Sequence, residues 1–257
     1  MCLLLLALHP RPGCKLLLAA NRDEYYDRPT APAEFWKEAP DLLAGKDLRA
    51  GGTWLGITRT GRIAAITNFR DPLAIKEHAP SRGELVTRFL MGDESPRAFI
   101  DMLAREGIVY NGYNLVLGAQ GKLFWYSNRG KGPHALTSGY YGLSNHLLDT
   151  PWPKVAWSKK TFTALFSQAD APSTESIFHM LGNRRVATDD SLPDTGVGLE
   201  WERILSPVFI TSPAYGTRSS TILFIDEENR VTFLERTYHP ENPDHHETHP
   251  FKFIISP

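Results

Sequence analysis

Cysteine is nearly absent: Cys2 and Cys14 are the only two among 257 residues. No disulfide framework can hold such a chain together, and a reducing compartment suits it. An excess of charge of either sign is also missing, since 28 basic residues against 29 acidic ones leave a formal net charge of −1. That balance offers no electrostatic footprint for DNA, RNA or an anionic membrane. Long apolar runs are lacking too. The first stops at Leu8, before His9-Pro10-Arg11-Pro12-Gly13, and no basic segment precedes it. Neither a secretory signal nor a membrane span is therefore expected, and the protein reads as cytoplasmic. No internal repeat, low-complexity tract or linker stands out. A single domain over residues 1–257 is the expectation, long enough to bury a substantial core.

What is present begins with two apolar runs, Cys2-Leu-Leu-Leu-Leu-Ala-Leu8 and Lys15-Leu-Leu-Leu-Ala-Ala20, on either side of a turn. They predict a strand–turn–strand unit with both faces covered. Residues 21–52, rich in turn formers, prolines and charges, predict a long irregular excursion. A second hairpin joins Thr53–Ile57 to Ile63–Asn68. Ser81 can cap a helix over Gly83–Leu90, and Ser95-Pro96 opens another that ends at Gly107. A third hairpin pairs Tyr113–Leu117 with Lys122–Tyr126, turning at Ala119-Gln-Gly121. A short strand at Tyr140–Leu143 precedes helices near 153–168 and 174–182, and a shorter one near 199–205. The tail returns to strands at Ser219–Ile225, Val231–Glu235 and Phe251–Ile255. Hairpins at both ends with helices between them predict an α+β fold. The doubly covered opening strands suggest two sheets stacked face to face with helices outside.

Cys2 carries the chemistry. Removal of Met1 would place a thiol and a free α-amine on one residue, and the small size of cysteine permits that trimming. An α-amine titrates at roughly 7.7–8.0 and a cysteine at about 8.5, so the amine can serve as base for its own thiol. A blander role is open as well: a small apolar residue that starts a strand. If the opening hairpin is tight, Asn21-Arg22-Asp23-Glu24 lies beside Cys2. A guanidinium there favours the thiolate, and a carboxylate can hold the amine. The same tetrapeptide also suits a solvated loop start.

Cys2 together with Asn21-Arg22-Asp23-Glu24 resembles the NRDE-motif family, also called the transport and Golgi organisation family. Further islands agree: Ala50-Gly-Gly-Thr-Trp-Leu-Gly56, Ala65-Ile-Thr-Asn-Phe-Arg70, Ser81-Arg-Gly-Glu84, Tyr113-Asn114, Gly142-Leu-Ser-Asn145 and Thr217-Arg-Ser-Ser220. The resemblance implies an N-terminal-nucleophile hydrolase fold of four layers, αββα. More distantly, the layout is similar to the bile-salt hydrolases and penicillin V acylases. By that likeness Cys2 is the nucleophile, Arg22 neighbours the thiolate, and Asp23 holds the amine. The acylases place their aspartate three residues past the arginine, so Glu24 rivals Asp23. Asn68 supplies a backbone N–H, and Asn145 a side-chain amide, to an oxyanion. Arg218 is a further cation at the cleft, a carboxylate binder, or an exposed edge-strand arginine.

The remaining signals are structural. Asp244-His-His-Glu-Thr-His249 reads as a solvated loop rather than a metal site. Gly216–Ser220 lacks the order of a phosphate loop, and Cys14 reads as strand packing. No cofactor is called for. The expected partner is a small molecule, either an acyl amide or acyl thioester that is turned over, or haem or an acyl-CoA or lipid that is merely carried. For a carrier, Trp36, Trp54 and Trp125 are candidates to line an apolar groove.

Overall fold

The computed structural model describes residues 2–167 and 171–256. In chain order it contains β1 (Cys2–Arg11), β2 (Cys14–Tyr25), β3 (Thr30–Trp36), β4 (Ala39–Asp47), β5 (Leu55–Thr58) and β6 (Ile63–Asn68). Helices α1 (Gly83–Met91) and α2 (Pro96–Glu106) follow, then β7 (Tyr113–Ala119), β8 (Lys122–Ser127), β9 (His134–Leu136) and β10 (Gly139–Leu143). The chain continues through α3 (Pro153–Phe166), α4 (Thr174–Leu181) and α5 (Leu199–Leu205) to β11 (Tyr215–Ile225), β12 (Arg230–His239) and β13 (Asn242–Ile254). Two compact units result. One comprises Met1–Asp27, Ser138–Ser144 and Leu148–Lys252; the other comprises Arg28–Thr137, Asn145–Leu147 and Phe253–Pro257.

The first unit is built on a six-stranded sheet in the order β10-β1-β2-β11-β12-β13. Leu3–Leu8 of β1 and Leu16–Ala20 of β2 are continuously apolar because both faces of the hairpin are buried there, with Leu3 and Leu5 both at 0% exposure. Alternation sends Leu3, Leu5, Ala7, Leu17 and Ala19 to one face, where they pack with Val155 and Phe162 of α3 and Ile177 and Phe178 of α4. Gly13, at φ 84°, makes the turn between the two strands possible.

The second unit carries a seven-stranded sheet, β3-β4-β5-β6-β7-β8-β9, with α1 and α2 on it. Leu85, Val86 and Phe89 of α1 and Phe99 and Ile100 of α2 meet Leu115 and Tyr113 of β7 in its core. Gln120 (φ 52°) and Gly121 (φ 75°) form the β7–β8 turn where the sequence places it. α1 begins against the loop before β5. A Cβ on Gly52 would lie 2.6 Å from the carbonyl carbon of Gly83, so only glycine lets these two backbones meet. Ser81 Oγ accepts from the Gly83 N–H at 3.3 Å, but the N-cap position of α1 is Arg82, which makes no side-chain cap hydrogen bond.

Several expectations need correction. The irregular excursion over 21–52 is largely strand: β2 runs on to Tyr25, and β3 and β4 form a hairpin. β3 tolerates Pro32 because it is the sheet's edge, and its pairing with β4 slips between Ala31 and Glu34. The histidine-rich tail lies in β13 rather than in a loop, again as an edge strand, where exposed polar side chains discourage further pairing. Trp36 and Trp125 are each 4% exposed, and Trp36 belongs to the second unit's core. Helix α3 ends at Phe166, and the expected limit at 168 falls outside the described residues.

Candidate functional site

The tetrapeptide occupies four successive positions of β2, and strand alternation divides its roles. Arg22 pairs with Cys2 of β1 on one side and with Ser219 of β11 on the other. It is 6% exposed. The Cys2 thiol itself, and Met1, lie outside the described part of the structure. Asn21, facing the helices, is a tether. Its Nδ2 donates to the Leu181 carbonyl at 2.9 Å and to the Val208 carbonyl at 2.8 Å, while its Oδ1 accepts from Ser220 Oγ at 2.6 Å. The amide thus joins β2, β11, the end of α4 and the segment after α5.

Asp23 is 1% exposed. Thr217 Oγ1 donates to its Oδ1 at 2.7 Å, and Tyr215 Oη donates to its backbone carbonyl at 3.0 Å. Burial pushes its carboxyl above the ordinary carboxylate range, while the charge of Lys154 pulls the other way. Glu24 is only half-buried, and its Oε1 accepts from the Tyr25 N–H at 2.9 Å.

Between Thr217 and Ser219 the β2–β11 register shifts by one, leaving Arg218 as the extra residue of a bulge. Arg218 Nη1 donates to the Tyr25 carbonyl at 2.9 Å. Burial, and then the neighbouring Arg22 charge, lower the proton affinity of its guanidinium. Two arginines therefore sit close together at the end of β2, a locally electropositive environment. β11 lies between β2 and β12, so Arg218 is not on an edge strand.

In the second unit, Asn68 ends β6 and Asn145 follows β10. Asn145 is 0% exposed, and its Nδ2 donates to the Asn68 carbonyl at 2.8 Å. Its own backbone carbonyl accepts from the Arg70 N–H at 2.7 Å. Asn114 braces the same place, donating to Thr67 Oγ1 at 3.2 Å and to the His146 carbonyl at 2.9 Å. His146 lies against Phe69 with ring centroids 4.9 Å apart, and burial lowers its pKa, favouring the neutral imidazole. The two asparagines named from sequence are thus joined directly. Asn114 Oδ1 remains a buried acceptor with no hydrogen-bond partner among the described residues.

Three contributors escape a reading by motif. Lys154 is 4% exposed on the first turn of α3, and its charge reaches Asp23. The signal for it was local: a lysine directly after Pro153 sits at a helix N-terminus, where the macrodipole favours acids. Ser219 stands beside Arg22, and its buried Oγ finds no partner among the described residues. Thr217 was visible only as part of an island, not as the donor to Asp23. Cys14, by contrast, packs among the α3 and α4 side chains, and burial pushes its thiol up to about 12. No group of three or more metal-type side chains among the described residues could hold an ion. Nor is any described helix long and apolar enough to cross a membrane.

The fold is that of the N-terminal-nucleophile hydrolases. A Caenorhabditis elegans N-acylethanolamine-hydrolyzing acid amidase ortholog matches at TM-score 0.50 and 10% identity, covering 86% of this chain and 92% of that one. The family model for Transport and Golgi organisation 2 matches residues 1–240. A human Transport and Golgi organization protein 2 homolog is 37% identical over 275 residues, covering 99% of both chains. Its mouse counterpart is 34% identical at the same coverage. The chain belongs to the Transport and Golgi organisation 2 family.

Proposed function

We propose that, once Met1 is removed, this cytoplasmic protein is a cysteine N-terminal-nucleophile amidohydrolase or acyltransferase acting on an amide or thioester. The observation that carries the reading is the pairing of Cys2 with Arg22, a nearly buried guanidinium beside a second cation, Arg218. The neutral α-amine takes the thiol proton as sulfur bonds to the substrate carbonyl carbon. The carbonyl electron pair moves to oxygen, where the Asn68 N–H and the Asn145 amide stabilise it. Collapse of the tetrahedral adduct breaks the C–N or C–S bond, and the ammonium returns its proton to the leaving group. Water or an acceptor then attacks the acyl-enzyme and regenerates the thiol. Asp23, anchored by Thr217, orients the amine, with Glu24 its rival.

Three measurements test this. Intact mass must show the loss of Met1, because a retained methionine blocks the amine. An alkylating probe at pH 7 must then label Cys2 far faster than Cys14. With its thiol at about 12, Cys14 is only ~10⁻⁵ thiolate at that pH. Equal labelling of the two thiols would refute an activated nucleophile. A panel of acyl amides and acyl thioesters must show turnover that disappears in Cys2→Ala, falls in Arg22→Ala, and drops about 10²–10³-fold in kcat in Asn145→Ala. Binding without any Cys2-dependent turnover would instead make the protein a carrier of haem or an acyl ligand.

A further inference from the structure

The first unit holds a cavity of about 220 Å³ between the start of α3 and the segment that follows α4. Lys154 and Trp157 form one wall, Arg185 and Val186 another, and Val208 closes a third. Its lining includes two cations and no acid. The two cations differ. Lys154 is nearly buried, and its charge is shared with Asp23. Arg185 is exposed, and its guanidinium makes no ion pair or hydrogen bond among the described residues. The N-terminal end of α3, at Pro153 and Lys154, adds the positive pole of a 14-residue helix. The opposite requirement comes from the carbon surface: Trp157 is 36% and Val186 53% exposed here, apolar area that an occupant would remove from water.

This cavity is also tied to the tetrapeptide at two points. Val208, one of its wall residues, accepts from Asn21 through its carbonyl, and the charge of Lys154 acts on Asp23. The two motif residues that face the helices therefore hold its inner side, while Arg22 pairs with Cys2.

We infer that this cavity is a binding site for a small organic carboxylate: an apolar body against Trp157, Val186 and Val208, with its acid group on Arg185. A carboxylate is favoured over a multiply charged phosphate because only one cation is exposed at the rim, and a single guanidinium matches a carboxylate in a two-bonded fork. The site does not depend on Cys2 chemistry.

The experiment is calorimetric titration of the full chain with 3-phenylpropanoate, beside its neutral amide and acetate. The phenyl carboxylate should bind saturably, at least about tenfold tighter than either comparison probe. Arg185→Gln should lower its affinity about tenfold and leave the amide unchanged. Trp157→Ala should weaken the carboxylate and the amide alike. Both replaced side chains are exposed, so melting curves should match the wild type and confirm intact folding. Cys2→Ala should bind as the wild type does, which separates this site from the nucleophile: it can fail while turnover stands, and the reverse. Equal binding of carboxylate and amide, an Arg185→Gln variant that binds normally, acetate binding as tightly as the phenyl compound, or no saturable binding at all would each overturn the assignment.

Discussion

Replacing Asn21 with leucine removes three hydrogen bonds while keeping side-chain size. In the native protein the amide satisfies the Leu181 and Val208 carbonyls and the Ser220 hydroxyl, all in a place where Asn21 is 1% exposed. Each buried group left without its partner costs about 1–3 kcal/mol. Partial relaxation brings the expected total to about 3–5 kcal/mol, a large share of the ~5–15 kcal/mol that holds a typical domain. Urea unfolding, followed by tryptophan fluorescence and far-ultraviolet circular dichroism, gives the loss as the midpoint shift multiplied by the slope. Ser220→Ala alone should cost about 1–2 kcal/mol, since it strips only one of the three bonds and an acceptor for Tyr238 Oη. The double variant should fall short of the sum by about 1 kcal/mol, because the two side chains share a bond. A loss below about 1 kcal/mol in Asn21→Leu, or strict additivity in the double variant, would refute the tether.

Gly52→Ala should destabilise by about 1–3 kcal/mol in the same assay, because its Cβ meets the Gly83 backbone rather than a movable side chain. Gly51→Ala, where φ is 78° but the space is open, should cost only about 1 kcal/mol; the reverse order would contradict the close approach. Asp23 governs a pH dependence. Its folded pKa is raised, so its contribution to stability is full below the unfolded value of about 3.9 and is lost as pH rises through the folded value. Asp23→Asn keeps an acceptor for Thr217 and removes the titration. Urea midpoints measured from pH 4 to 8 should therefore show the variant gaining on the wild type as pH rises, and a gap that moves the other way would be inconsistent with a buried, raised carboxyl.

Much of the fold was legible because periodicity and turn chemistry agreed. The opening leucine runs are doubly buried strands, the Gln120-Gly121 turn has the left-handed φ angles it needs, and α1 and α2 follow their apolar stripes. The β3–β4 hairpin was hidden because Pro32, several charges and a register slip break the alternation that marks a strand. Those same traits suit an edge. For β13 the pattern failed only over its first part: Asn242–Pro250 carries mostly exposed polar side chains with no apolar face to announce a strand, whereas Phe251–Ile255 reads as one from the sequence. In the candidate site, Arg22, Asp23, Asn68 and Asn145 were each named from motifs. Lys154 was not, because a buried charge is defined by its partner across the fold, and Asp23 lies more than a hundred residues away in sequence.

The single residue by which β11 outgrows its neighbour has an architectural consequence. Upstream of it Thr217 faces Asp23, and downstream Ser220 faces Asn21, each on the side its hydrogen bond demands. A ladder shortened by that one position would still march in step at both ends. What Arg218 adds is therefore separable from the strand register: a positive charge seated in the bulge and fixed by its own bond to the Tyr25 carbonyl rather than by the ladder.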